Sequence, residues 1–463
     1  MGHLGNLKIT VLNDLVDTLK LHFYSSDLSD EKELEDYNKI VSLFCDIKSE
    51  AMQIKNADTQ KRFISHEFHG YKFRVMASAQ SGFNVVIQNG DVSISLLKHS
   101  VKHNNPLIKV EFRAEFLCRY GYIKAIQSVK NLIQNFLLNY HVKVSEIHLA
   151  KDIQGYEFCT FDFHRVKTLS KTKTIFHNDI SSEYYFGNRF TGFSVGKGDE
   201  MLRVYNKTVE ITQKKQKAFI EVLKWANNPD FDNKKNVWRL EFQLRRESLK
   251  YLLGNDGLLD SLDNVLKSIS NLWNYCINRF VHKNLDNTQV QEQITQMKIL
   301  KNGTFKYLSA ETLRKRFQRA DTSIVWDSIQ TFEGNVGYEL QKVKDIKKPE
   351  VQYVKNAFKA IISTFVKLKR GDFNSHELTE ILLEADREQR EKTDINIIDN
   401  ARLKALDYMS HAKVFYEKTG IIEDGFDKFN KDLANNLQHT FALIENEPSS
   451  ILTFEQFQKR LIA

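Results

Sequence analysis

The stretch Trp238-Arg239-Leu240-Glu241-Phe242-Gln243-Leu244-Arg245 decides the fold. Large apolar residues alternate with charged or amide ones, and a period of two makes a strand with one apolar and one polar face. Val144 to Asp152 repeats the pattern: Glu146 and His148 share a face, Ile147 and Leu149 take the other, and Asp152 lies just beyond, where a turn to Gly155 is expected. In Leu202-Arg203-Val204-Tyr205-Asn206-Lys207, the residues Arg203, Tyr205 and Lys207 stand on one side against Val204.

Outward from these three segments the strand signals continue. Tyr71–Val75 alternates, Phe83–Ile87 is rich in β-formers, and Asn89-Gly90 is a hairpin turn before Val92–Leu96. Ile108–Arg113 reads as a strand, and a helix follows with Ile126, Val129, Ile133 and Phe136 on one face. Strands are expected at His141–Ala150 and Tyr156–Phe163, a hairpin turn at Gly196-Lys197-Gly198-Asp199, a helix over 209–226 and a strand over Val237–Leu244. The prediction is an α+β domain over 61–250, an antiparallel sheet flanked by helices. Residues 1–60 are predicted helical, because Leu12, Leu15, Val16 and Leu19 sit at helical spacing and Tyr37, Ile40, Leu43 and Phe44 repeat it. Past residue 250 the pattern turns helical again, with Leu259, Leu262, Val265, Leu266 and Ile269 on one face, so 251–463 is expected to be an all-helical C-terminal region that binds DNA or a partner.

Composition bounds the function. With 463 residues, 27% of them charged, and apolar segments throughout, the chain is long enough for two or three folded domains and is not generally disordered. Four prolines and nineteen glycines exclude collagen, mucin stalks and proline-rich arrays. The net charge is +8, but residues 1–60 hold 11 acids against 6 Lys or Arg, so the remainder carries +13 and leans toward a polyanionic partner. Cys45, Cys118, Cys159 and Cys276 form no CxxC pair, which leaves zinc knuckles and thioredoxin-type sites without support. No apolar run approaches the ~20 residues that span a bilayer, and Asn6 stands where a myristoylation signal needs Ser or Thr, so a cytoplasmic protein with no membrane partner is expected. The Gly196-Lys197-Gly198 turn lacks Walker A spacing, so no ATPase or helicase activity is assigned.

The polar strand faces admit two readings. One is a solvated sheet face with scattered ion pairs, the ordinary fate of polar-out strands. The other is chemical: two carboxylates and an imidazole can hold Mg2+ or Mn2+, and such an ion polarises a scissile phosphate. A tyrosine, with a pKa of ~10, needs a base or a cation beside it to become a nucleophile. Lys207 shares a face with Tyr205 and suits that electrostatic role, while Arg203 suits a grip on phosphate.

Three ordered blocks, Gly192–Gly198, Leu202–Glu210 and Trp238–Glu247, resemble the rolling-circle replication initiation factor family, plasmid initiators of the staphylococcal type and related relaxases of conjugative elements. Ile147–Asp152 resembles that family's first acidic strand, and the likeness covers roughly 61–250. It implies an origin-specific DNA nickase and strand transferase working through a covalent 5′-phosphotyrosine. The catalytic tyrosine then falls on Tyr205, with Lys207, Arg203 and Arg239 as helpers; the metal carboxylates fall on Asp152 and Glu241, with His148 and Glu210 beside them. His148 departs from the pattern, since relatives carry an acid there. The resemblance further implies single-stranded or hairpin DNA as partner, a helicase supplied by host or element, and a homodimer as one arrangement. Conjugative mobilisation, and a non-catalytic DNA-binding protein on the same fold, are the alternatives.

Other signals read more plainly. His66-Glu67-Phe68-His69 lacks the HExxH spacing and reads as a surface strand or turn. Tyr184 and Tyr185 are competing nucleophiles or base-stacking residues, and Tyr156 calls for a control substitution because it lies near Asp152. Basic clusters at 214–217, 314–319 and 342–348 invite phosphate, and on the 312–319 helix Leu313 and Phe317 make an inner face with the cations outside.

Overall fold

The computed structural model describes residues 8–27, 29–57, 62–100, 105–168, 185–186, 189–213, 218–333, 337–343, 351–371, 374–393, 395–401 and 404. Ten strands form one sheet: β1 (Thr10–Ser25), β2 (Phe63–Phe68), β3 (Tyr71–Met76), β4 (Val85–Gln88), β5 (Val92–Leu96), β6 (Ile108–Phe112), β7 (Tyr140–Gln154), β8 (Gly192–Lys197), β9 (Glu200–Asn206) and β10 (Trp238–Arg245). Their spatial order is β8-β9-β10-β7-β1-β6-β5-β4-β3-β2, with every neighbouring pair antiparallel. Helices α1 (Glu31–Ala57) and α2 (Ala114–Ile133) pack on it, α1 against β2 to β4 and α2 against β1. The chain is therefore α+β with an antiparallel sheet, as its alternating segments predict.

The largest correction falls at the N-terminus. Residues 10–25 are a strand in the middle of the sheet, between β7 and β6, and not a helix. The apolar spacing misleads because β1 is bulged. Its register against β7 shifts between Val11 and Asn13, between Val16 and Thr18, and between Lys20 and Leu21. Each bulge interrupts the period of two, so Leu12, Leu15, Val16 and Leu19 are all buried although their spacing mimics a helical stripe. The second helix of that region is real: Leu34, Tyr37, Val41, Phe44 and Ile47 make the buried face of α1, while Leu43 faces solvent.

Two further expectations change. β7 runs through Asp152 to Gln154, so Asp152 lies inside a strand and on the same face as His148. The turn comes at Gly155, whose φ of +94° and whose closeness to the backbone oxygen of Lys8, 2.2 Å from where a Cβ would sit, exclude a side chain. Residues 156–163 lead into helix α3 (Thr160–Arg165) and are not a strand.

Beyond residue 250 the expected helices are present, and short strands at Leu252–Gly254, Gly257–Leu258, Phe280–His282, Met297–Ile299, Phe305–Tyr307 and Gln341–Lys342 are interleaved with them. The helix Ile269–Arg279 shares its core with the sheet: Trp273 stands edge-on to Phe242 at 4.9 Å between centroids, and Phe280 and Trp326 complete the cover. Residues Met1–Lys342 form one compact unit. The second, Val343–Ala463, contains the described helices Val351–Leu368 and Ser375–Thr393. Among the described residues no helix is long and apolar enough to cross a membrane.

Candidate active site

The apolar faces of β9 and β10 are consumed by the core, so their polar residues project together on the opposite face. Pairing sets Arg203 beside Glu241, Tyr205 beside Arg239, Arg239 beside Asp152, and Gln243 beside His148. Helix α4 (Lys207–Gln213) starts where β9 ends, its first turn closed by the Asn206 side chain accepting the backbone N–H of Val209 at 3.0 Å. That cap brings Lys207 and Glu210 round to the tyrosine.

The centre is a tyrosine on a carboxylate. The Tyr205 hydroxyl donates to Glu241 Oε2 at 2.9 Å, and Lys207 Nζ stands 3.4 Å from the same hydroxyl and 2.6 Å from Glu210 Oε2. The other carboxylate oxygen of Glu241 accepts from His148 Nδ1 at 2.7 Å and Arg203 Nη1 at 3.4 Å. His148 Nε2 reaches Glu146 at 2.8 Å, and Glu146 also meets Lys20 at 3.2 Å and Arg245 at 3.3 Å. Glu241, His148 and Lys207 are buried, and Tyr205 and Arg203 are half-buried.

These contacts set the charges. Burial pulls the His148 imidazole down, but the carboxylates of Glu146 and Glu241 outweigh it and hold it up at about 9. The ring is therefore an imidazolium at neutral pH, donating from both nitrogens. Burial works to raise both carboxyls, yet Glu146 is brought down to about 2 by His148 and Lys20, and Glu241 is lowered chiefly by His148. Burial, then the charge of Glu241, pushes the Tyr205 phenol well above its ordinary value. The resting pair is thus a neutral phenol on an ionised carboxylate.

Asp152 and Arg239 belong to a different cluster. Neither is exposed, and Arg239 grips Asp152 with two parallel bonds, Nε at 2.6 Å and Nη2 at 2.8 Å. Trp225 Nε1 at 2.8 Å and Asn13 Nδ2 at 3.0 Å both donate to Oδ2 of that carboxylate as well. The third guanidinium nitrogen meets Asp17, the extra residue of a β1 bulge. Three of the five N–H groups of Arg239 are committed to carboxylates and its side chain is fully buried, so it has no exposed surface with which to grip a phosphate, in contrast to its expected role. Asp152 is fully buried with four donors already on its carboxylate.

In this arrangement the donors expected for Mg2+ or Mn2+ are engaged with protein partners: Asp152 with Arg239, Trp225 and Asn13, Glu210 with Lys207, and His148 with Glu146 and Glu241. Among the described residues, no group of three or more His, Cys, Asp or Glu side chains is placed to hold a metal.

Sequence reasoning passed over Glu146, Gln243 and Lys20 as site residues, although the first two stand on polar faces that alternation identifies. Asp17, Asn13 and Trp225 gave no local signal, because two of them lie in the bulged strand and the third opens a short 3-10 helix, Trp225–Asn227. Tyr156 stands in a separate cluster: its hydroxyl donates to buried Asp162 at 2.8 Å, and burial, then that carboxylate, raises its pKa. The Asp162–His282–Ser323 chain has the composition of a hydrolytic triad, but all three are buried and the Ser323 oxygen caps the helix at Ile324. Tyr184, the Tyr185 side chain, and the lysines at 214, 215, 217, 344, 347 and 348 lie outside the described residues.

No protein-family profile and no curated protein matches the chain. Among solved structures it is similar to the rolling circle replication initiator protein from Geobacillus stearothermophilus, at 13% identity and a TM-score of 0.29 over 70% of this chain and 96% of that one.

Proposed function

We propose that the chain nicks one DNA strand at an origin and rejoins it through a covalent phosphotyrosine at Tyr205, initiating rolling-circle replication. The observation that carries this reading is the Tyr205 hydroxyl on the Glu241 carboxylate, flanked by Lys207 and Arg203; the ordered sequence blocks supply the choice of DNA.

The energetics dictate how the step runs. An ordinary phenol near 10 and an ordinary glutamate near 4.3 differ by about six pH units, roughly 8 kcal/mol against full proton transfer. The environments of Tyr205 and Glu241 widen that gap. Free tyrosinate is therefore scarce, and the proton passes to Glu241 only as the phenolic oxygen closes on phosphorus, which is general-base catalysis. The new bond joins Tyr205 Oη to phosphorus, and the bond from phosphorus to the 3′-oxygen breaks. That oxygen leaves as a 3′-hydroxyl, taking its proton from solvent. Rejoining is the reverse: the hydroxyl attacks the phosphotyrosine, and Glu241 returns its proton to the leaving phenol. Arg203 and Lys207 meet the charge that grows on the non-bridging oxygens. His148 and Arg203 keep Glu241 ionised so that it can accept. A duplex holds its phosphates away from a half-buried ring, so the substrate is a melted or hairpin-extruded strand.

The test incubates the protein with labelled single-stranded fragments of its own replicon, with Mg2+ or Mn2+ supplied. A denaturation-resistant protein–DNA band that vanishes in Tyr205→Phe and survives Tyr156→Phe is the expected result. A band of normal yield in Tyr205→Phe refutes the assignment.

A further inference from the structure

Helix Asn287–Thr295 and helix Ala310–Arg319 are bridged by a two-stranded ribbon, Met297–Ile299 against Phe305–Tyr307. All six of its strand residues are exposed. Register places Met297 opposite Tyr307, Lys298 opposite Lys306, and Ile299 opposite Phe305. One face is hence wholly apolar, with Met297 48%, Ile299 67%, Phe305 69% and Tyr307 67% exposed. The other carries two lysines directly across from each other, and Lys301 stands at the tip, where Gly303 makes the turn with φ of +80°. Residues 293–310 contain these three lysines and no acid.

Two features of that arrangement disfavour the ribbon in water. Like charges directly opposite on a ladder repel, and a two-stranded hairpin with bare apolar side chains is marginal without a partner. Both defects are relieved by one occupant, a chain with flat apolar rings on one side and anionic groups on the other. We infer that this ribbon docks single-stranded DNA, its bases stacking on Phe305 and Tyr307 and its phosphates meeting Lys298, Lys301 and Lys306.

Dimensions agree. Phe305 and Tyr307 are two residues apart on one strand, so their side chains repeat at about 6.8 Å, twice the ~3.4 Å rise per residue. An extended single strand can set one unstacked base on each ring. The Tyr307 hydroxyl donates to Gln296 Oε1 at 2.7 Å, which restricts the ring before any ligand arrives. The ribbon is only two strands wide, at about 4.8 Å between strands, so a lysine stem rooted on the far face reaches round its edge to a backbone lying there. This inference takes its ligand class from the nicking proposal, and it adds where the melted strand is held.

Anisotropy of a labelled oligo-dT and of a length-matched duplex, titrated with the full chain across a salt series, tests it. Phe305→Ala/Tyr307→Ala should weaken single-strand binding roughly 25-fold or more at unchanged salt slope. Phe305→Trp/Tyr307→Phe should restore it. Lys298→Ala/Lys306→Ala should lower the salt slope by about 1.4, at ~0.7 per phosphate contact on a single strand. Wild-type binding in both alanine pairs overturns the inference, as does an equal loss on duplex. A change of oligomeric state by light scattering, with DNA binding intact, also overturns it, because the apolar face then seats a second copy. A covalent adduct with unaltered binding in the ribbon variants sinks this surface alone. Weakened binding with no adduct in any chain sinks the nicking proposal and leaves the surface standing.

Discussion

Replacing Asp152 with alanine should unfold the protein more readily before it affects any chemistry. Its carboxylate is fully buried and accepts from Arg239 twice, from Trp225 and from Asn13. Removing it leaves a fully buried guanidinium with Asp17 as its remaining carboxylate among those described, and takes the acceptor from buried Trp225 and half-buried Asn13. Breaking a buried pair from one side costs about 3–5 kcal/mol. For the unit Met1–Lys342, an unfolding entropy of ~2.1 cal/mol/K per residue gives roughly 0.7 kcal/mol/K, so the expected fall in Tm is about 4–7 °C. Asp152→Asn should fare little better, because its amide turns a donor toward donors. The assay is a thermal melt by circular dichroism, paired with Mn2+ titration of wild type and variant. A variant that melts within about 1 °C of wild type, yet has lost Mn2+ binding and the covalent adduct, would show that Asp152 is a cation ligand and refute the reasoning.

Glu241→Gln keeps an acceptor for the Tyr205 hydroxyl but removes the base, so single-turnover adduct formation should fall about 10²- to 10⁴-fold with DNA affinity near wild type; a fall under tenfold would contradict general-base catalysis. His148 has its pKa raised to about 9 by its two carboxylates, so its contribution is complete below the unfolded value near 6.5 and is lost as pH rises through 9. Urea denaturation should show a loss of about 3–4 kcal/mol at most across that window, absent in His148→Gln, and a flat profile in wild type would count against the imidazolium. Gly196→Ala should destabilise the β8–β9 hairpin, because φ is +94° and the new Cβ would lie 2.6 Å from the backbone oxygen of Glu200; a wild-type melting temperature would speak against that geometry. Deleting residues 1–25 removes the strand between β7 and β6, so a truncated chain that stays soluble and cooperatively folded would contradict the sheet order.

Alternation in three short segments was enough to read the antiparallel α+β class and to put Glu146, His148, Arg203, Tyr205, Glu241 and Gln243 on polar faces. Face is a local property: successive side chains of a strand point to opposite sides whatever the strand pairs with. Neighbour is not local, and only the tertiary structure decided it. Register across β7, β10 and β9 joined Tyr205 to Glu241 but sent Asp152 to Arg239, although Tyr205, Glu241 and Arg239 look alike as polar-face positions and Asp152 reads as lying past its strand. The bulges of β1 hid a central strand behind a helical spacing and aimed Asp17 at Arg239. Trp225 reached Asp152 from a connection some seventy residues away. Which carboxylate is left free to take a proton depends on how many donors the rest of the chain brings to it, and that number is set by packing across the sheet rather than by any run of residues.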